Sequence, residues 1–135
     1  MLDTSISDDD KLNKLLKLIE AEGALSEIAE NEIISSFESR GEKAVKALRE
    51  NKLQKLILNE RIAIWEVEGT SGSYILIDNN YCECKDFQIR VLRRGEKTLC
   101  YHLLAKIIGE ELHNYSLKKI SNEAYENLIK SKISE

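Results

Sequence analysis

All three cysteines of this chain and one of its two histidines stand in two pairs, Cys82-x-Cys84 and Cys100-x-His102, with fifteen residues between the pairs. Few patterns constrain a fold as tightly. Side chains i and i+2 leave an extended strand on the same side, so Cys82 and Cys84 converge where a strand ends. In a regular helix that spacing puts two side chains about 200° apart at ~3.6 residues per turn, so Cys100 and His102 face one point only where a helix begins. Cys100 is therefore expected at or just before the helix cap and His102 in the first turn, where free N–H groups and the positive end of the dipole favour thiolate. Leu103, Leu104, Ile107, Ile108 and Leu112 then recur at helical spacing and fix one face against a core.

Two pairs of soft ligands carried on two segments are what a tetrahedral Zn²⁺ site requires. Three other readings compete. Cys82 and Cys84 could be ordinary buried apolar residues. A disulfide is opposed by the odd cysteine count and by the lack of a signal peptide. A catalytic Cys100–His102 pair has no second histidine close by and no nucleophile elbow around it. Two ordered pairs including a histidine favour metal, so one structural Zn²⁺ is expected on Cys82, Cys84, Cys100 and His102. Four protein ligands fill the tetrahedron and leave no position for water or substrate. The chain also lacks phosphate-binding glycine motifs, His113 reads as an exposed loop residue, and Glu110-Glu111 reads as a solvated helix face. The expectation is a protein that is not an enzyme and takes no small-molecule substrate.

The stretch resembles the SWIM zinc finger, whose signature is C-x-C, a variable loop, then C-x-H. Asp86-Phe87 follows the first pair as in that family's C-x-C-x-D-F segment, and Tyr74, Ile75, Leu76 and Ile77 supply the preceding strand. His102-Leu103-Leu104-Ala105 fits the extended C-x-H-x-x-A form of the small SWIM subunits of Shu-type recombination complexes. The resemblance covers residues 62–112, and the first fifty residues carry no matching motif. It implies a ββα finger with Phe87 and Ala105 as structural support. It also implies a non-catalytic accessory role in homologous recombination and DNA repair beside a RecA-family recombinase paralogue. The alternative it leaves is a free-standing DNA-binding or regulatory SWIM protein. Many SWIM domains have lysine between the second cysteine and the histidine, whereas this chain has Tyr101.

Charge bears on the choice of partner. The chain is net negative, with 20 basic against 24 acidic residues, which opposes wholesale non-specific nucleic-acid binding. Residues 81–106 run the other way, with six basic residues against three acidic. Arg90, Arg93, Arg94 and Lys97 are thus candidates for contact with DNA, weak and salt-dependent, with Tyr101 or Phe87 as stacking surface. An acidic protein partner or a plain solvated loop fits the same charges. No apolar run approaches the ~18 to 20 residues of a membrane span, and the N-terminus is acidic, so a cytoplasmic chain without membrane contact is expected, nuclear in a eukaryote.

At 135 residues, 42% of them hydrophobic, the chain has material for one compact unit. We divide it into an N-terminal helical segment (1–52), the finger domain (53–113) and a C-terminal helix (114–135), an α+β protein with a small antiparallel sheet. Leu12, Leu15, Leu16 and Ile19 form the stripe of a first helix, capped at Ser7 or Asp8 and ended by Gly23. Ser26 caps a second, carrying Ala29, Ile33, Ile34 and Phe37 and closing before Gly41, and a short third runs through Ala44, Val45 and Leu48. Strands follow at residues 56–58, 62–67 and 74–78, with turns at Asn59-Glu60, at Gly69-Thr70-Ser71-Gly72 and at Asn79-Asn80. Residues 88–94 fit either an extended run or a helical turn, and Ser121 caps a last helix with Tyr125, Leu128 and Ile129. The helical stripes present more apolar surface than three strands and one helix obviously cover. We expect the first helix to dock on a second chain, a copy of this one or the recombinase paralogue, using its stripe as anchors; the competing reading is that the helices pack back on the sheet.

Overall fold

A computed structural model describes residues 8–69, 72–78, 81–93 and 99–133. Three helices come first: α1 Asp8–Glu22, α2 Glu27–Phe37 and α3 Ser39–Arg49. The Ser26 hydroxyl accepts the Ala29 N–H at 3.1 Å and so caps α2 as expected. Gly23 follows the end of α1 at φ +71°. Helix α2 closes before Gly41 as expected, at Phe37. The break falls at Glu38, at φ 54°, and Gly41 lies inside α3, where a Cβ would meet the Ile33 carbonyl oxygen at 2.4 Å. Gly41 is there for close approach of α3 to α2, not as a stop signal.

Strands β1 (Leu53–Ile57), β2 (Ala63–Gly69), β3 (Gly72–Ile77) and β4 (Tyr81–Cys82) form an antiparallel meander. The turn between β1 and β2 is held by Asn59 Oδ1, which accepts the N–H groups of Arg61 and Ile62. Thr70, Ser71, Asn79 and Asn80, in the two later turns, lie outside the described residues, as does Ser7. A fifth strand, β5 (Ser116–Lys119), pairs parallel with β1 and makes the sheet mixed, in the order β4-β3-β2-β1-β5. This corrects the all-antiparallel expectation. All four residues of β5 are exposed, so it has no apolar alternation to announce it, and backbone pairing along β1 holds it.

The sheet is apolar on both sides. On one face Leu53, Trp65, Val67 and Leu76 join the helices in one continuous core. On the other, Leu56, Ile64 and Ile75 lie under Ile120, Tyr125 and Leu128, the last two from α5 (Asn122–Ile133), whose first turn is capped by Ser121. Between them α4 (Tyr101–Leu112) packs against α1, α3 and the first sheet face, with residues 102–109 all buried.

The stripe of α1 is consumed inside the chain. Leu15 and Ile19 are fully buried, as are Ile33 and Phe37 of α2, while Leu12, Leu16 and Ile34 pack at the edge of the same core. Of the two readings of the first helix, packing back holds and the expected docking of this stripe on a second chain does not, because α4 needs cover on the side turned away from the sheet.

Candidate metal centre

The sheet register delivers the first ligand. Lys55, Trp65, Leu76 and Cys82 stand opposite one another across β1, β2, β3 and β4, so Cys82 ends an apolar row on the face that α4 covers. Strand β4 is only two residues long, and Glu83 completes its pairing in an unusual way. The Glu83 N–H donates to the Ile75 carbonyl at 3.1 Å while its own Oε1 accepts the Ile75 N–H at 2.7 Å. The residue between the two cysteines is thus tied to β3 at both ends, which fixes the turn that brings Cys84 round. After Cys84, residues Phe87–Arg93 wind in wide π-helical turns, resolving a segment whose conformation the sequence leaves open. The Phe87 N–H points at Cys84 Sγ, 3.3 Å away.

The second pair sits where helix geometry requires. Cys100 is the N-cap of α4, with φ −90° and ψ 171°, and His102 lies in the first turn. Arg40, from α3, grips the chain just before it. Its Nη1 donates to the Leu99 carbonyl at 3.0 Å, and the guanidinium pairs with both carboxylate oxygens of Asp8 at 2.9 and 3.0 Å.

The donor atoms of Cys82, Cys84, Cys100 and His102 all lie within 4.8 Å of one another. The edge of a zinc–thiolate tetrahedron is about 3.8 Å for Zn–S bonds of ~2.3 Å. His102 Nδ1 is 3.7 Å from Cys82 Sγ. All four side chains are buried, all three thiols are free, and His102 Nε2 has no hydrogen-bond partner among the described residues. Three thiols and an imidazole whose Nδ1 faces them, all shut away from water, bring four donor atoms toward one point. That donor set fits Zn²⁺ and would close its coordination shell.

The thiols perturb one another strongly. Contacts with Cys100 and then Cys82 pull Cys84 well below the ordinary thiol range, helped by His102 and the Phe87 N–H against the opposing effect of burial. Cys82 is driven far up by Cys100, by Cys84 and by burial. Cys100 is drawn down by Cys82 but raised more by Cys84 and by burial, to about 12. One thiolate therefore forms at the expense of the other two, and a dication supplies what the remaining two need in order to ionise.

The other sequence candidates divide. Ala105 is fully buried on α4 and Phe87 is fully buried beside Tyr81, their rings edge to face at 5.6 Å. The expectation that Phe87 offers stacking surface to a base is corrected. Phe87 is 1% exposed, while the half-buried Tyr101 ring lies against His102 and within reach of the Lys43 ammonium. Burial, then Tyr74 and the cysteines, raise the Tyr101 hydroxyl. Arg93 is exposed, whereas Arg94, Lys97 and the side chain of Arg90 lie outside the described residues. His113 is exposed as the C-cap of α4. Sequence reasoning placed Tyr74 only on the preceding strand and missed Glu83 and Arg40 at this site. Only Glu83 left a signal, as the residue enclosed by the first pair.

Comparison with known proteins finds no matching family model and no matching solved structure. It does find relatives. The mouse protein "Zinc finger SWIM domain-containing protein 7" is 32% identical over 68 residues, spanning 49% of this chain and 45% of that protein. A Dictyostelium discoideum homolog of the same name is 24% identical over 136 residues, covering 96% of this chain and 87% of its own. The Danio rerio protein is 32% identical over 50 residues, or 36% of its length. The mouse and zebrafish matches thus span less than half of those proteins. The site, a Cys-Cys-Cys-His cluster, is thus similar to the SWIM-type zinc finger for which these relatives are named. In this finger β4 and the turn after it carry the first ligand pair, the start of α4 carries the second, and the four-ligand set fits a structural zinc ion.

Proposed function

We propose that the chain is a non-catalytic interaction subunit acting in homologous recombination and DNA repair beside a RecA-family recombinase paralogue. The observation that carries the reading is a four-ligand site wholly buried between sheet and helix, which serves to hold a surface in shape and offers no coordination position to a substrate. The C-x-H-x-x-A form supports the choice of setting: His102 and Ala105 lie one turn apart, both buried on α4. Similarity to proteins named for the same finger, at near full length in the Dictyostelium case, supports the zinc-finger part of the reading.

Affinity capture of the tagged, zinc-loaded chain from native extract tests the proposal. Recovery of a RecA-fold ATPase at stable stoichiometry is the expected result. Retention on DNA with no such partner would instead favour a free-standing DNA-binding protein, toward which the exposed Arg93 and the locally basic finger point.

A further inference from the structure

A histidine that binds zinc is ordinarily held in the right plane by a hydrogen bond from its second ring nitrogen to a carboxylate, a carbonyl or water. His102 has no such bond among the described residues. One ring nitrogen faces Cys82 Sγ, and the other is buried without a partner. Ring contacts can set the plane instead, since rotation of the imidazole would carry its nitrogens away from the thiols.

Two aromatic rings lie against it. Tyr74, on β3, lies 4.6 Å from the imidazole, centroid to centroid, at 41°, and Tyr101 lies 3.9 Å away at 34°. Both partners are themselves held. Tyr74 occupies a space that Gly69 keeps open, since a Cβ there would come within 2.7 Å of its Cε2. Tyr101 is backed by the Lys43 ammonium of α3, 5.7 Å from its ring centre. The column therefore runs from the second strand through Tyr74, His102 and Tyr101 to the third helix.

We infer that Tyr74 and Tyr101 are positioning residues for the metal, orienting the His102 imidazole by stacking in place of a hydrogen bond to its second nitrogen. What matters in this role is the flat ring and not the hydroxyl. Phenylalanine should preserve the role at either position, whereas leucine, apolar but not planar, should not.

The test uses the zinc-loaded full chain challenged with excess chromogenic chelator, together with the visible spectrum of the Co²⁺-substituted protein. Tyr101→Leu and Tyr74→Leu are expected to release zinc about tenfold faster than wild type and to shift the cobalt bands, while Tyr101→Phe and Tyr74→Phe match wild type in both. A merely structural defect would lower stability without moving the cobalt spectrum of the folded fraction, and that outcome would overturn the inference. Leucine variants with wild-type release and spectrum would overturn it too, as would phenylalanine variants that lose zinc as fast as leucine ones. Should Tyr74→Leu fail to fold, Gly69→Ala displaces the same ring without removing it: faster release supports the column and unchanged release opposes it. No partner protein enters the assay, so its outcome is independent of the proposed recombination role.

Discussion

Arg40 Nη1 donates to the carbonyl of Leu99 at 3.0 Å, so a helix with no metal ligand holds the peptide that leads into Cys100. The contact is partly buried and backed by the bidentate pair with Asp8, whose side chain is 9% exposed. Such outer interactions typically alter metal affinity by about 10- to 100-fold when removed. Arg40→Met should weaken zinc binding by about tenfold in chelator competition. Arg49→Met, on the same helix and breaking the exposed pair with Glu30, should leave it unchanged. Equal affinities in the two variants would remove Arg40 from any role at the site.

Elemental analysis should find about one zinc per chain, and Cys82→Ser or His102→Ala should abolish it, because a three-ligand remnant leaves a buried cation open on one side. Metal retained in full by both variants would sink the assignment of these ligands.

Ala105 is fully buried one turn beyond His102, in a helix packed on both sides. Ala105→Leu should overpack that position and cost roughly 1 to 3 kcal/mol in denaturant unfolding. An unchanged midpoint would mean that the site relaxes without strain.

Deletion of residues 1–22 removes Leu15 and Ile19 from the core that covers α4. Loss of each such side chain costs about 2 to 5 kcal/mol, against a total stability of about 5 to 15 kcal/mol for a typical domain. We expect the truncated chain to lose its cooperative unfolding transition and its zinc together. A truncated chain that stayed folded and zinc-loaded would show that α1 is an appendage.

If the basic stretch meets DNA, replacing Arg93 and Arg94 together should lower affinity and flatten its dependence on salt, since each phosphate left without its cation takes about one unit off the slope. A filter-binding or anisotropy series between low and moderate salt measures this. The same slope in the double variant would place the DNA-binding surface elsewhere.

The local part of the design was legible in the sequence. Cys-x-Cys requires extended backbone and Cys-x-His a helix start because side-chain direction follows φ and ψ over two residues, and the caps at Ser26 and Ser121 follow from the same short-range rules. Burial of the α2 and α4 stripes was legible in the same way, from a period of ~3.6 residues. What the sequence could not assign was which surface met which. Gly41 carries the same letter whether it ends a helix or makes room for the backbone of a neighbouring one, and a four-residue strand with every side chain exposed leaves no period to read. Arg40 and Leu99 are separated by 59 positions, and Tyr74 meets a histidine on another element. Those approaches depend on the path of the whole chain, so the ligands were written in the sequence, while the residues that hold them in place were decided by the tertiary fold.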